Sequence, residues 1–325
     1  MTEATSRKIV FDRRSRLLVA PDHRSRFTVR ALQAVHRLLA PFRHCGISRA
    51  HGVLARLADP QSMTVIKEGR WEFSFPSRDY YWNRLLDASW RYEPEIDFLL
   101  RSLSDVPFVF VDLGANFGYW STRVGAGLYG NHRVIAVEPA EQCFTILTRN
   151  TAGFPASLHR RAIDRRSGQK ILLYGERHAG FSIKRDWHGA SKQAVNEIES
   201  ISIDDLLPAD GVESAETPVL VKLDVEGVEL RALSGARRTI EGRSLFVIEE
   251  SGTPGRGEAL RYATEDLGMS IFAVEDGRLT KLVAESDLAA CKERHRREGF
   301  SALNIVATKS PFWLGHLRSL PSVPR

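Results

Sequence analysis

The sequence predicts an α/β fold in which a largely parallel sheet carries helices on both faces. A buried strand at residues 108–111 leads through a glycine-rich turn into a helical segment at 119–128. A second strand, at 133–137, follows this helix and ends on an acid. Further strands and helices alternate up to residue 308, and such alternation is typical of a parallel sheet that binds ligands at the carboxyl ends of its strands.

The turn in this first unit has the spacing D-x-G-x-N-x-G, with fixed positions at Asp112, Gly114, Asn116 and Gly118. Glycine is needed there because the backbone turns tightly and approaches a ligand without a Cβ in the way. Amides at the helix start can then face that ligand. Glu138 ends the next strand, twenty residues beyond Gly118. A carboxylate in this place accepts ribose hydroxyls, so we predict a nucleoside cofactor.

The later part of the chain continues the alternation with one interruption. The further predicted strands lie at 157–163, 219–224, 244–250, 270–274 and 304–308. Residues 165–205 contain only short β segments and polar loops, and we interpret them as an insertion beside the site that carries specificity. We therefore predict a main domain at 107–310 and a C-terminal tail at 311–325.

The residues before position 107 have a different character. Residues 1–60 are predicted to form a basic, partly helical N-terminal extension that is poorly ordered up to residue 26. Apolar residues at helical spacing between 27 and 57 indicate two short helices, divided near Pro41 and Gly46. Residues 61–106 are predicted to be a lead-in made of a hairpin and a helix.

The positive charge of the chain is concentrated in the N-terminal extension. The net charge is +6, and residues 1–60 contain 12 Lys and Arg against four Asp and Glu. We interpret this segment as a solvated arm, with peripheral membrane contact through residues 27–57 as the alternative. No base-reading motif accompanies the charge, which argues against nucleic acid as a partner.

Cysteine usage and hydropathy predict a cytoplasmic protein. Three widely spaced cysteines, Cys45, Cys143 and Cys291, give neither a disulfide framework nor a zinc spacing. The chain has no run of about 18 uncharged apolar residues, and its charged start leaves no room for a signal-peptide core. The sequence does not indicate an oligomeric state.

Acidic residues end the predicted strands, and their negative charge favours one nucleoside cofactor over another. They are Asp112, Glu138, Asp164, Asp224, Glu249 and Glu250. A dinucleotide carries a pyrophosphate that such an edge repels, whereas S-adenosyl-L-methionine carries a sulfonium, an ammonium and no phosphate. The turn also departs from the dinucleotide pattern G-x-G-x-x-G. We predict S-adenosyl-L-methionine, with a nicotinamide-dependent oxidoreductase as the alternative.

Two motifs resemble a known family. VDLGANFGY at 111–119 and KLDVEG at 222–227 together are similar to the FkbM-type S-adenosylmethionine-dependent methyltransferases, and the resemblance covers residues 63–308. It implies a Rossmann-like seven-stranded methyltransferase sheet whose last strand is antiparallel, and methyl transfer to a hydroxyl. The acceptor stays open among a saccharide, a lipid-linked glycan and a secondary metabolite. One departure is Glu250-Ser251, where the family more often has an apolar residue and then histidine.

The resemblance also implies which residues bind the cofactor. The glycine turn would surround its methionine end, and Glu138 would hold its ribose; the turn residues are Asp112, Gly114, Asn116 and Gly118. Asp164 is placed to meet the adenine amine, with a turn-forming role as the alternative. Glu93 lies a short helix before the first strand and is predicted to reach the same pocket, unless the helix dipole alone explains it.

Four residues on or after two strands are candidates for catalysis. They are Asp224, Glu226, Lys222 and Glu249. Methyl transfer to a neutral hydroxyl benefits from a base, and Asp224 follows the strand at the centre of the sheet edge. Lys222 lies on the same strand face and can pair with Asp224 or with a substrate oxygen.

Two alternatives remain open for these residues. They would form a purely structural cluster if the fold served as a non-catalytic S-adenosylmethionine-binding module. A divalent metal shared by Asp224 and Glu249 is conceivable. Histidines are few in this region, which disfavours a transition metal, so we predict no metal.

Overall fold

The computed structural model describes residues 8–39, 47–175, 182–183, 194–251, 258–275, 277–283, 285–297 and 302–320. The chain divides into two units, Met1–Tyr92 and Glu93–Arg325. This division differs from the predicted one, in which residues 1–60 and 61–106 are separate segments, because strands from both segments belong to one sheet.

That sheet contains four strands: β1 (Lys8–Asp12), β2 (Leu18–Val19), β3 (Met63–Glu68) and β4 (Trp71–Pro76). Their order is β2-β1-β3-β4, with β1 parallel to β3 and the predicted hairpin formed by β3 and β4. The expectation of a poorly ordered segment up to residue 26 is therefore wrong for its described part. Ile9 and Phe11 are buried on one face of β1, and this apolar burial holds the strand in the sheet.

Two helices accompany this sheet in the first unit. They are α1 (His23–Leu39) and α2 (Ile47–Ala55). Helix α2 lies in the stretch predicted to be helical, whereas α1 begins four residues before it, at His23. The residues between the two helices, including Pro41 and Gly46, lie outside the described part. One face of α1, which includes Val29 and Leu32, is buried. No helix among the described residues is long and apolar enough to cross a membrane.

The second unit alternates strands and helices along most of its length. In chain order its elements are α3 (Pro94–Ser102), β5 (Val109–Leu113), α4 (Tyr119–Gly125), β6 (Arg133–Val137), α5 (Glu141–Asn150), β7 (Ala156–His159), β8 (Ala162–Ile163), β9 (Lys170–Tyr174), β10 (Ala194–Ile201), α6 (Ile203–Ala209), β11 (Val219–Leu223), α7 (Glu229–Ser234), α8 (Arg237–Glu241), β12 (Ser244–Ser251), α9 (Glu258–Arg261), β13 (Ser270–Glu275), β14 (Arg278–Leu282), α10 (Glu285–Arg297), β15 (Ala302–Thr308) and α11 (Pro311–Arg318).

Eight of these strands form one sheet with the order β14-β13-β15-β12-β11-β5-β6-β7. Strands β7, β6, β5, β11 and β12 are parallel, and the last strand, β15, lies antiparallel between β12 and β13. The predicted Rossmann-like sheet with an antiparallel last strand is thus confirmed. It has one strand more than expected, because β14 pairs with β13 as a hairpin at the edge. Most residues of β14 are polar, and only its Leu279 and Leu282 are buried. The strand therefore lacks the apolar run from which hydropathy predicts a strand.

Helices cover both faces of this sheet, as predicted. The main apolar core contains Val111, Leu113, Val221 and Leu223 together with buried residues of α6, α7, α8, α9 and α10. A smaller cluster on the opposite face joins Ala136 of β6 to Leu147 of α5. Since side chains alternate along a strand, Asp112 and Lys222 project from the face opposite the main core.

Residues 165–205 contribute β9 and β10 to a separate three-stranded sheet with the order β8-β10-β9, in which β8 belongs to the end of the strand predicted at 157–163. This sheet corresponds to the predicted insertion, although residues 176–181 and 184–193 lie outside the described part. The chain after residue 310, expected to be a tail, forms α11 instead. Trp313 and Leu317 of α11 are buried, and the Trp313 indole Nε1 donates to the backbone oxygen of Arg243 at 2.8 Å.

Candidate active site

The candidate site lies at the point where the order of the parallel strands reverses, between β5 and β11. Ligands of open α/β sheets bind at such a point, outside the carboxyl ends of the strands. Asp112 of β5 is the register partner of Lys222 of β11, and Glu249 of β12 is the partner of Asn304 of β15. All four side chains project from the face opposite the main core, so the strand ends present a row of polar groups.

The glycine turn takes a backbone conformation that favours glycine at two positions. Gly114 and Gly118 have φ angles of +78° and +85°. A Cβ on Gly114 would lie 1.8 Å from the backbone oxygen of Asp224. At Gly114 the glycine turn therefore packs directly against the backbone of the loop that carries Asp224, the candidate base.

Glu138 connects the end of β6 to the glycine turn. Its Oε2 accepts a hydrogen bond from the backbone N–H of Asn116 at 2.9 Å, and its Oε1 accepts one from Ala140 at 2.9 Å. Desolvation raises the pKa of Glu138 to about 7, against the opposing effect of these two bonds. Each carboxylate oxygen can accept a second hydrogen bond, so acceptor positions remain that suit ribose hydroxyls.

Asp112 is buried at the end of β5 with one oxygen satisfied. Its Oδ2 accepts hydrogen bonds from the backbone N–H and the hydroxyl of Ser121, at 3.1 and 2.6 Å. Its Oδ1 has no hydrogen-bond partner within the described ranges. Burial raises the pKa of this carboxyl, and Lys222 opposes the shift. An unsatisfied buried acceptor is costly, so this oxygen fits a ligand that brings a donor, such as the ammonium group of S-adenosyl-L-methionine.

At the carboxyl ends of the central strands, three side chains interact through their charges: Lys222, Asp224 and Glu249. The Lys222 ammonium donates to Asp224 Oδ2 at 2.9 Å. Desolvation acts to raise the pKa of Asp224, but Lys222 and a hydrogen bond with Glu249 prevail and lower it. Burial, together with the charge of Asp224, raises the pKa of Glu249 well above its usual value. Of the two carboxyl groups, Glu249 is therefore the one whose protonated form is favoured, and Asp224 the one whose ionised form is favoured.

Glu93 belongs to a second acidic group beside this one. Its Oε2 accepts from the indole Nε1 of Trp120 at 2.5 Å, and its Oε1 accepts from Asn304 Nδ2 at 3.2 Å. The same amide group donates to Glu95 Oε1 at 2.9 Å. Glu93 has a left-handed φ of +44°, and desolvation raises its pKa to about 7 although Lys222 opposes the shift. Asn304 thus holds two glutamates at the site.

Glu226 and Asp164 lie in different surroundings. Glu226 follows Asp224 with a left-handed φ of +53°, and its backbone oxygen accepts from the Ser182 hydroxyl of the insertion at 2.7 Å. Asp164 is fully buried and forms a two-point ion pair with Arg231, at 2.7 and 2.5 Å. This pair turns the carboxylate toward the protein itself, so the role of Asp164 toward adenine stays a prediction.

The structure adds three polar residues to those the sequence analysis considered: Ser121, Trp120 and Asn304. The clearest missed signal is Asn304, a polar residue between Leu303 and Ile305 in an apolar strand. Ser121 and Trp120 lie on α4, and nothing in the local sequence distinguishes them from the other residues of a helix. The side chain of Glu250 lies outside the described part. Within the described ranges, no group of three or more His, Cys, Asp or Glu residues is placed to hold a metal ion.

Two carboxyl groups of the site make the stability of the free protein depend on pH. The pKa values of Glu93 and Glu138 rise from an ordinary 4.5 to about 7 in the folded protein. Their contribution to stability is therefore complete below pH 4.5 and is lost as the pH rises through 7. We expect the free energy of unfolding to fall across this window in urea titrations. The double variant E93Q/E138Q should show a shallower fall, and an unchanged profile would contradict the raised pKa values.

The parallel sheet, its antiparallel last strand and the acid-lined switch point define the class of S-adenosylmethionine-dependent methyltransferases. Residues 112–279 match the model of the methyltransferase FkbM domain, which covers more than half of the chain. The protein belongs to the FkbM methyltransferase family, and its cofactor is S-adenosyl-L-methionine. Membership of this family argues against the alternative of a nicotinamide-dependent oxidoreductase.

Solved structures similar to this chain include three methyltransferases. The precorrin-6y C5,15-methyltransferase of Geobacter metallireducens has 13% identity over 66% of this chain and 87% of its own, with a TM-score of 0.35. A TehB-like SAM-dependent methyltransferase of Corynebacterium glutamicum has 15% identity over 70% and 94%, with a TM-score of 0.38. The tRNA (uracil-54, C5)-methyltransferase of Pyrococcus abyssi has 10% identity over 77% and 53%, with a TM-score of 0.35. No curated protein matches the chain.

Proposed function

We propose that this methyltransferase methylates a hydroxyl group on a saccharide, a lipid-linked glycan or a secondary metabolite. The observation that carries the proposal is the ion pair between the Asp224 carboxylate and the buried Lys222 ammonium, at 2.9 Å, which lowers the pKa of Asp224. A neutral hydroxyl must lose its proton during methyl transfer, and a carboxylate at the reaction centre can accept it. Asp224 has a side chain that is 17% exposed, so it remains within reach of an acceptor.

Lys222 and Glu249 would act through Asp224. The buried ammonium of Lys222 keeps Asp224 ionised, so the proton acceptor is ready at neutral pH. The hydroxyl becomes far more acidic as its oxygen gains the methyl carbon, so even a carboxylate of low pKa is a sufficient base. The acceptor O–H bond would break with its proton passing to Asp224. The new O–C bond would form as the sulfur–methyl bond of the cofactor breaks, which leaves S-adenosylhomocysteine. Glu249 supports the charge of Asp224 through their shared hydrogen bond.

The glycine turn would bind the cofactor together with two acids beside it, Glu138 and Glu93. When bound, S-adenosyl-L-methionine supplies an activated methyl group. The free Oδ1 of Asp112 and the remaining acceptor positions of Glu138 suit an ammonium group and ribose hydroxyls, respectively. Glu93 adds negative charge that attracts the cationic end of the cofactor. The amides of Gly114, Asn116 and Gly118 donate within the protein, so the turn would contact this ligand through other atoms.

The insertion would contribute to acceptor binding through one hydrogen bond. The Ser182 hydroxyl donates to the backbone oxygen of Glu226, two residues beyond the proposed base. This hydrogen bond links the insertion to the loop that follows Asp224. We propose that acceptor selection depends on this contact, with Glu226 at the edge of the acceptor site.

The proposal is tested by two measurements on the same preparation. Calorimetry should show binding of S-adenosyl-L-methionine and no binding of NAD. Release of S-adenosylhomocysteine should then be measured with panels of saccharides, lipid-linked glycans and hydroxylated secondary metabolites, with methyl ethers identified by mass spectrometry. Methylation confined to nitrogen or carbon would refute the hydroxyl acceptor. Cofactor binding without turnover on any panel would favour the non-catalytic module.

A further inference from the structure

The first unit contains a cavity of about 190 Å³ between α1, the β1–β2 turn and the residues after Leu86. Phe11 and Leu86 line its apolar part, and three arginines, Arg16, Arg30 and Arg37, also line it. A cavity of about 150 Å³ accommodates a molecule as large as benzene, so this one has room for a phosphate group with part of its ester.

The three arginines give this cavity a positive character. None of them forms an ion pair with a carboxylate within the described ranges. Arg30 donates to the Gln33 side-chain oxygen at 3.1 Å, and Gln33 Nε2 donates to the backbone oxygen of Leu86 at 3.1 Å. Gln33 is buried, so this chain of hydrogen bonds fixes the guanidinium of Arg30 at the cavity.

One carboxylate, that of Asp87, also lines the cavity. Its Oδ1 accepts from the backbone N–H and the hydroxyl of Ser89, at 2.9 and 2.7 Å. Its Oδ2 lies 3.7 Å from Nδ1 of the buried His36. Three guanidinium groups against one carboxylate leave an excess of positive charge, which favours an anionic ligand.

Exposed apolar side chains lie beside these arginines. Phe27 and Leu38 of α1 are 65% and 70% exposed. They are eleven positions apart, close to three helical turns, so they share one face of α1 with Arg30 and Arg37. Leu17 and Val19, next to Arg16 along the chain, are 62% and 55% exposed. Helix α1 itself contains no acidic residue.

We propose that this face of the first unit binds the surface of an anionic membrane, with a lipid phosphate in the arginine-lined cavity. Basic residues interspersed with exposed aromatic and aliphatic side chains are the composition of helices that lie in a membrane interface. The arginines supply attraction to the lipid phosphates, and Phe27 and Leu38 supply burial in the acyl boundary. Interfaces with nucleic acid are more polar, and four exposed apolar residues at such a surface would gain little.

The test uses sedimentation of the full chain with phosphatidylcholine vesicles that contain or lack phosphatidylglycerol. We expect binding only with phosphatidylglycerol, and weakening with salt. The variant R30Q/R37Q should bind about 25-fold more weakly, since each arginine near an anionic surface contributes about fivefold. The variant F27S/L38S should also bind more weakly. The matched control R149Q/R166Q removes two exposed arginines of the second unit and should bind like the parent protein.

Several results would overturn the proposal. These are equal binding to both kinds of vesicle, an equal loss in R149Q/R166Q, and unchanged binding in F27S/L38S. Calorimetry with inorganic phosphate and with glycerol phosphate separates a membrane from a soluble ligand. Binding of either that depends on Arg30 and Arg37, in a protein that does not sediment with vesicles, would assign the cavity to a soluble phosphorylated molecule. A dimer abolished by F27S/L38S would assign the face to a second copy of the chain.

Discussion

Replacement of Asp224 by asparagine is expected to lower the turnover number about 10²- to 10⁴-fold, the range typical of a lost general base. The amide cannot take up the hydroxyl proton, yet it retains the size of the carboxylate, and the backbone approach to Gly114 is unchanged. Binding of S-adenosyl-L-methionine, measured by calorimetry, should change much less than turnover. The measurement is release of S-adenosylhomocysteine at saturating acceptor, with D210N as the control.

The variant E249Q distinguishes Asp224 from Glu249 as the base. Glutamine retains a donor toward Asp224, as the protonated Glu249 does, so most of the activity should remain. Asp210 is a suitable control because it pairs with His159 and Arg133 rather than with the acidic group of the site. Undiminished turnover in D224N would remove this residue from the mechanism, and a greater loss in E249Q than in D224N would transfer the role to Glu249.

The variant G114A is expected to lose both stability and cofactor binding. The backbone at this position has a φ of +78°, and a Cβ would lie 1.8 Å from the carbonyl oxygen of Asp224. The left-handed conformation alone costs a residue with a side chain about 1–2 kcal/mol. The contact adds to this cost, because a backbone oxygen cannot rotate away as a flexible side chain can. Urea unfolding and calorimetry with the cofactor measure the two effects.

The matched control for this variant is G168A. Gly168 has a similar φ of +73°, but no atom lies within 4 Å of a Cβ placed there. G168A therefore carries the conformational cost of about 1–2 kcal/mol without the contact. The excess destabilisation in G114A measures the close approach between the two loops of the site. Equal destabilisation in both variants would show that the approach to Asp224 is not tight.

Local signals were sufficient for most of the second unit. The apolar run of β5, the glycine turn and the acids that end the strands are contiguous in the chain. A parallel sheet brings the carboxyl ends of its strands to one edge, so Asp112 and Asp224 could be assigned to the same edge in advance. The family resemblance then supplied the antiparallel last strand, which alternation alone does not predict.

Other features depend on partners distant in the chain. Strand β1 is short and lies in a basic segment, and its pairing with β3 across about fifty residues is what stabilises it. The ion pair of Asp164 with Arg231 joins residues 67 positions apart, and no local pattern indicates it. The contact of Asn304 with Glu93 spans 211 positions.

The amino-acid sequence by itself determined the fold class, the nucleoside-binding turn and the positions of the acids. Each of these features depends on residues that are close together in the chain. They are the spacing of the apolar residues, the residue types of a turn and the charge at the end of a strand. Only the tertiary structure decided in which direction the pKa of each acid shifts, and which carboxylate faces its own protein. Protonation depends on desolvation and on charges within a few ångströms, and those distances exist only after the chain has folded.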